Sequence, residues 1–224
     1  MQHRSVKHRS WFRSLFYGGC TLAAVMLAGC EKEPVAATAN VGVQTIPLHD
    51  TLRKVITENI LLTNNHPWYI EGWVYVSNEA TLHIEPGTVI KIITPLPAYG
   101  RESGGGLVIT RGAKIIAEGQ QRWPVVFRLN DTTCNTGWKG IILLGKAPQT
   151  GAGNVLENIS SLTGSTGLAY GGHEAEDSSG VMRHVRMEGL ELLLRGIGRR
   201  TEIADITIQP TGNKPYHLKK VLLP

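Results

Sequence analysis

The stretch WVYVSNEATLHIEPGTVIKI, residues 73–92, decides the fold of this chain. After a loop it continues as GLVITRGAKIIAEGQQRWPVVFRL, residues 106–129, and then as GWKGIILLGK, residues 137–146. Short runs rich in Val and Ile are separated by Gly, Pro and Asn, and most of the gaps are too short for a helix. The pattern predicts short strands that wind into stacked β-coils.

A hidden repeat supports this stacking. A shift of 33 residues aligns apolar positions of two units: Val74 with Leu107, Val76 with Ile109, and Leu82 with Ile115. Self-similarity at such a period is typical of a solenoid, in which each unit buries its apolar face against the next. The segment 95–106 is rich in Pro and Gly and is expected to loop out of the stack. An antiparallel sandwich of similar strands is the alternative that the pattern leaves open.

Side chains within a unit alternate between two faces. In residues 80–84, ATLHI, alternation directs Ala80, Leu82 and Ile84 inward and leaves Thr81 and His83 outside. The following Glu-Pro-Gly, residues 85–87, is expected to turn a corner. The continuous apolar run at residues 141–144 is instead typical of a strand that is covered on both faces.

Residues 1–29 have the composition of a lipoprotein signal peptide. A basic segment precedes an apolar run at residues 15–27, which is too short for a membrane-spanning helix of about 20 residues. The run ends in Leu27-Ala28-Gly29-Cys30, which resembles the bacterial lipobox. The resemblance implies that Cys30 receives a lipid and anchors the chain in a membrane. A plain secretory signal that is cut nearby is the alternative.

The remaining chain divides into three predicted parts. Residues 30–55 are expected to form the lipidated N-terminus and a tether, residues 56–208 a β-helix domain, and residues 209–224 an irregular tail. By resemblance to enterobacterial sorting, Glu31 after the lipidated cysteine favours the outer membrane. The protein is therefore expected in the cell envelope, at the periplasmic or the surface face.

Removal of the leader takes away most of the net charge. The whole chain has 23 Lys and Arg against 18 Asp and Glu, and four of the basic residues precede Cys30, which leaves 23 − 4 = 19 against 18. A nucleic-acid partner is excluded on this ground, because such binding requires a clustered basic surface. Cys20 leaves with the leader and Cys30 is acylated, so Cys134 has no partner for an internal disulfide.

Several motifs, in order, resemble one family of proteins. They are TLHIEPGTVIK, LVITRGAKIIAEG, PVVF, GWKGIILLGKAP, YGGHEAEDSSGVMRHVRMEG and RTEIADITIQ. They resemble bacterial cell-envelope lipoproteins with a right-handed parallel β-helix, whose relatives in fold are pectate-lyase-like proteins. The resemblance covers roughly residues 56–208 and implies an all-β, single-stranded, right-handed parallel β-helix. It implies no catalytic residue and no cofactor.

The sequence departs from that family after residue 188. The segment between two expected strands is shorter there than in the family, and residues 210–224 no longer resemble further coils. A truncated or frameshifted C-terminus would explain this departure. It would leave the last coil with an open edge and favour aggregation.

The best polar cluster is the segment HEAEDSSG, residues 173–180. Its three carboxylates, Glu174, Glu176 and Asp177, are hard oxygen ligands of the type that Ca²⁺ prefers. The spacing is not that of an EF-hand, so a solvated turn between coils is the alternative to a calcium site.

A lyase acting on an acidic polysaccharide would need carboxylates for Ca²⁺ and a base such as Arg. Alternation through residues 181–188 places Arg183 with Val185 and Met187, and Arg186 on the opposite face with His184. No face then presents acids and an arginine together. We therefore expect a non-catalytic binding or structural role, with a polysaccharide or an envelope protein as partner. A carbohydrate-active enzyme is the alternative.

Overall fold

The computed structural model of the protein describes residues 44–95, 104–130, 137–149 and 168–221. The predicted signal peptide, Cys30 with its expected lipid, Cys134, most of the predicted tether and residues 96–103 of the expected loop lie outside these ranges. The described residues contain no helix that is long and apolar enough to cross a membrane.

Thirteen strands make up the described part of the chain. They are β1 Thr51–Ile56, β2 Ile60–Leu62, β3 Trp68–Val76, β4 Thr81–Ile84, β5 Val89–Ile93, β6 Gly105–Ile109, β7 Lys114–Glu118, β8 Val125–Leu129, β9 Lys139–Leu144, β10 Gly180–Glu188, β11 Glu191–Arg195, β12 Glu202–Gln209 and β13 Tyr216–Lys220.

Twelve of these strands pair in parallel and form three stacks. Stack A contains the C-terminal halves of β1 and β3, followed by β6, β9 and β11. Stack B contains β2, β4, β7 and the N-terminal halves of β10 and β12. Stack C contains the N-terminal halves of β1 and β3, then β5, β8 and the C-terminal halves of β10 and β12. The chain visits C, A and B in turn, and such crossovers are right-handed. The fold is a right-handed parallel β-helix, as predicted.

The sequence repeat corresponds to one step along this β-helix. Val74 pairs with Leu107, Val76 pairs with Ile109, and Leu82 pairs with Ile115, each on the adjacent coil. The 33-residue shift therefore superposes neighbouring coils, which confirms the stacking prediction. The sandwich alternative is wrong, because the strands of successive coils run parallel.

Inward side chains form one apolar core along the axis. Ala80, Leu82 and Ile84 are buried as predicted, while Thr81 and His83 are half-exposed on the outside. At the first complete coil, Trp68 is fully buried and its Nε1 donates a hydrogen bond of 2.8 Å to the carbonyl oxygen of Thr63. Burying such a large side chain in the core is favourable because the indole N–H keeps a partner.

Strand β9 is covered on both faces, which confirms the prediction for its apolar run. All six residues of β9 are buried. On the outer side, Val108, Ile142, Leu144 and Leu168 form a second apolar cluster. Stack A therefore carries packed side chains outside the helix as well as within it.

A close backbone approach in stack A requires glycine at position 140. A Cβ atom there would lie 2.0 Å from the carbonyl oxygen of Glu191 and 2.8 Å from the ring of Trp138. The Trp138 ring occupies the freed space and stacks on Trp73, with centroids 5.7 Å apart and planes 8° from parallel. Gly140 therefore lies within β9 and leaves room for an aromatic ring.

Strands lie beyond the predicted β-helix, residues 56–208, at both of its ends. Strand β1 begins at Thr51 and pairs with β3, so the helix starts before residue 56 and the tether ends earlier than expected. The segment 209–224 was expected to be irregular, but Tyr216–Lys220 forms β13 and pairs antiparallel with β12. Leu218 lies beside Ile206 and packs against the core, which gives this segment an apolar reason to fold back.

Candidate functional site

The three carboxylates of the predicted calcium site have different partners: a backbone N–H for Asp177, an ammonium group for Glu174 and a guanidinium group for Glu176. Asp177 is 8% exposed, and its Oδ2 accepts a 2.7 Å hydrogen bond from the backbone N–H of Lys146. Glu174 lies 3.9 Å from the ammonium group of Lys146, and Glu176 lies 3.3 Å from the guanidinium group of Arg199. Glu174 and Glu176 therefore compensate nearby positive charge, Asp177 satisfies a backbone donor, and the three are not grouped to hold a metal ion.

The segment that carries these acids crosses the corner between stacks A and B. Arg111, on the coil below, donates a 3.2 Å hydrogen bond to the carbonyl oxygen of Gly171. On the last coil, the backbone N–H of Arg199 donates to the carbonyl oxygen of Ala175 at 2.9 Å. The segment thus ties three coils together. Among the described residues, no group of three His, Cys, Asp or Glu side chains is placed to hold a metal ion, so the calcium prediction finds no support here.

The alternation predicted for residues 181–188 is wrong, because the strand bends at His184. His184 has a positive φ of 49°, and β10 passes from stack B to stack C at this residue. The bend resets the alternation, so Met182, Val185 and Met187 are all buried. Both Arg183 and Arg186 consequently face outward, one on each stack.

Arg183 does meet carboxylates, contrary to the prediction. Its Nη2 lies 2.5 Å from Oε1 of Glu202, and its Nη1 lies 3.6 Å from Oε1 of Glu118. The hydrogen bond and charge of Glu202, with a smaller effect of Glu118, raise the pKa of Arg183. A guanidinium group held between two acids on adjacent coils stays protonated and is unsuited to accept a proton.

The outer face of stack B also carries a histidine whose charged form is disfavoured. His83 pairs with Leu61 on the coil below and with Ile116 on the coil above. Burial against these apolar neighbours lowers the pKa of His83. The neutral imidazole is therefore favoured in the folded protein at neutral pH.

The outer face of stack C carries a row of polar and aromatic side chains, which we call the C row. In register on successive coils, Tyr69 pairs with Lys91, Lys91 pairs with Arg128, and Arg128 pairs with Glu188. Neighbouring strands lie about 4.8 Å apart, so these groups form a ladder along the helix axis. Arg186, two residues before Glu188, adds a third cation to the same face.

Lys91, Arg128 and Arg186 retain much of their capacity to bind a ligand, whereas Arg53 on the same stack is paired with Glu71. In the described part of the chain, no carboxylate lies within salt-bridge distance of Lys91, Arg128 or Arg186. Lys91 lies 5.3 Å from the ring centroid of Tyr69, a cation–π arrangement that keeps both side chains over the sheet. Arg128 and Arg186 are exposed.

Two concavities lie on this face in the upper coils. One, of about 560 Å³, is lined by residues that include Arg128, Glu188 and Gln209. The other, of about 280 Å³, is lined by residues that include Arg186 and His217. Arg128 and Arg186 therefore each border a depression in which an anionic group has room to lie.

The C row was missed by the sequence reading, although a signal is present. Lys91 and Arg128 each stand between two buried apolar residues, in Ile-Lys-Ile and Phe-Arg-Leu. The number of residues between successive members of the C row varies, so a single repeat period does not align them. Strand-by-strand alignment of these outward positions finds the row.

Comparison with known families agrees with this architecture. A family model described as a pectate-lyase like β-helix domain matches residues 54–192, which is more than half of the chain. The chain belongs to this family. Neither the curated proteins nor the solved structures contain a significant match to it. Membership in the pectate-lyase-like β-helix family establishes the fold and assigns no reaction, because one fold hosts many functions.

Proposed function

We propose that this protein is a lipid-anchored scaffold of the bacterial cell envelope whose stack C binds an acidic polysaccharide without cleaving it. The observation that carries the proposal is the C row, which presents Lys91 and Arg128 on adjacent coils beside Tyr69. A polymer with a carboxylate on each sugar presents a regular series of negative charges. Cations repeated at one strand spacing match such a series, and the tyrosine ring offers a face for a sugar.

The anchoring half of the proposal rests on residues 1–30. The basic segment, the short apolar run and the lipobox-like sequence before Cys30 favour acylation of that cysteine. Two or three acyl chains hold a protein stably at a bilayer. Cells grown with labelled palmitate are expected to label the wild-type protein and not Cys30→Ala, and label on the variant would contradict lipidation.

Polysaccharide binding is tested by native gel electrophoresis of the full chain. We expect polygalacturonate or alginate in the gel to retard the protein, and neutral dextran to leave its mobility unchanged. Replacing Lys91 and Arg128 together by Ala is expected to abolish most of the retardation. Retardation by dextran as well, or full retardation of the double variant by the acidic polymers, would contradict the proposal that stack C recognises negative charge.

A carbohydrate-active enzyme is the alternative function. Arg183 stands beside two acids as a lyase site requires, but the same acids hold its proton, as its raised pKa indicates. Arg186 has no salt-bridged carboxylate among the described residues. Incubation with polygalacturonate or alginate is therefore expected to yield no unsaturated product absorbing in the ultraviolet. Formation of such a product would establish the lyase instead.

A further inference from the structure

A third concavity, separate from the two on stack C, lies at the corner between stacks A and B. It has a volume of about 510 Å³, and we call it the corner groove. Its lining includes three cations, Lys114, Lys146 and Arg200, and two carboxylates, Glu79 and Asp177. This volume is in the range of about 300–1,000 Å³ that is usual for small-molecule sites.

The cations of the corner groove come from three different coils. Lys114 begins β7, Lys146 follows β9, and Arg200 precedes β12. The stem of Lys146 crosses Gly112, where a Cβ atom would lie 3.3 Å from its Cε. Gly112 therefore leaves space for this side chain on the coil below. The arrangement depends on how the β-helix stacks, because the three residues are distant in sequence.

Charge remains uncompensated in this groove. Lys114 is exposed and takes part in no ion pair of the described residues. Arg200 donates its Nε hydrogen to the backbone carbonyl of Glu176, which is neutral. Asp177 already accepts a hydrogen bond from the N–H of Lys146, and Lys146 has only the distant Glu174 at 3.9 Å. Lys114 and Arg200 therefore have no carboxylate partner among the described residues, whereas Lys146 is paired with Glu174, which lies outside the lining.

We propose that the corner groove binds a phosphodiester group. A phosphodiester carries one negative charge, which can be shared by Lys114 and Arg200, the two cations of the lining that have no carboxylate partner among the described residues. Its oxygens accept hydrogen bonds from several directions and so suit donors that arrive from three separate turns, whereas a planar carboxylate is best matched by one bidentate arginine. Glu79 is exposed at the same site, and its negative charge opposes the binding of an anion. The carrier is either a phospholipid headgroup or a soluble glycerol phosphodiester.

The test is calorimetric titration of the full chain with glycerophosphoglycerol and, separately, with dihexanoyl phosphatidylglycerol. We expect saturable binding with one site per chain. Binding is expected to weaken about tenfold or more in Lys114→Ala/Arg200→Ala, because two of three charged donors are lost. It is expected to persist in Lys91→Ala, which alters the C row alone. Tighter binding of the diacyl compound would identify a lipid headgroup, and equal binding of the two would identify a soluble diester.

A second variant separates loss of the site from loss of the fold. Glu79→Gln removes a negative charge from the lining and is expected to tighten binding a few-fold, an effect that unfolding cannot produce. Absence of saturable binding to either compound, or equal affinity of the wild type and Lys114→Ala/Arg200→Ala, would overturn the proposal. Neither result would bear on polysaccharide binding at stack C, since the two surfaces share no residue.

Discussion

The carboxylate of Asp177 accepts a 2.7 Å hydrogen bond from the backbone N–H of Lys146, which lies 31 residues earlier in the chain. The bond joins the two ends of a long insertion where it leaves and re-enters the β-helix, between β9 and β10. A buried carboxylate at such a junction substitutes for the backbone pairing that a tight corner would provide. The acidic segment therefore has a structural role, because it holds neighbouring coils together.

Asp177→Ala is expected to lower the free energy of unfolding by about 2 kcal/mol, because a buried N–H loses a charged acceptor. Glu176→Ala is the matched control, since both members of its ion pair are more than half exposed, and it should cost less than about 1 kcal/mol. Urea denaturation of the two variants measures the difference. Equal decreases in the free energy of unfolding would show that the hydrogen bond of Asp177 does not stabilise the corner. A rise in the stability of the wild type with millimolar calcium would support a metal site.

Gly140→Ala is expected to destabilise the protein by about 2–3 kcal/mol, because the added methyl group meets the carbonyl oxygen of Glu191 and the ring of Trp138. Gly212→Ala is the control. Its φ of 76° is unfavourable for alanine, but no heavy atom lies within 4 Å of the new carbon, so a cost of about 1 kcal/mol is expected. Thermal or urea denaturation that ranks the two variants in the opposite order would contradict the close packing of stack A.

The pH dependence of stability is expected to include a contribution from His83. Burial lowers its pKa in the folded protein, so the unfolded chain binds a proton more readily than the folded chain does. The contribution is complete above the unfolded pKa of about 6.5 and is lost as the pH falls through that value. The urea midpoint of the wild type should therefore fall more between about pH 7.5 and pH 5.5 than that of His83→Gln. Identical changes in the two proteins would remove His83 as a source.

Strand β13 is expected to protect the last coil from association. Leu218→Asp places a charge against the core beside Ile206 and should release β13, exposing the edge of β12. Light scattering on warming should then show aggregation at a lower temperature than for the wild type. Lys219→Asp, at an exposed position of the same strand, is the control and should behave like the wild type. Early aggregation of both variants would argue against a protective role.

The fold could be predicted from residues such as Leu82 and Ile115. Their apolar side chains at alternating positions indicate the buried face of each strand, and the repeat indicates which strands stack. The orientations of Arg183 and Arg186 could not be predicted, because the positive φ at His184 interrupts the alternation of side chains along β10, and a histidine alone does not specify that conformation. The sequence left the acidic segment open as a calcium site or a solvated turn, because Lys146 and Arg199 come to lie beside Glu174 and Glu176 only after folding. Local periodicity therefore predicts which side chains are buried inside the β-helix better than it predicts which outward side chains contact one another.

The central claim is that the cations of stack C bind successive charges of one acidic chain, and calorimetric titration with galacturonate oligomers of one to four sugars tests it most directly. We expect affinity to rise with length, to fall with added salt, and to decrease about tenfold or more for Lys91→Ala/Arg128→Ala. Lys214→Ala/Lys219→Ala removes the same charge from exposed positions elsewhere and should leave the affinity unchanged. Affinity that is independent of length, or lost equally in both double variants, would contradict the claim.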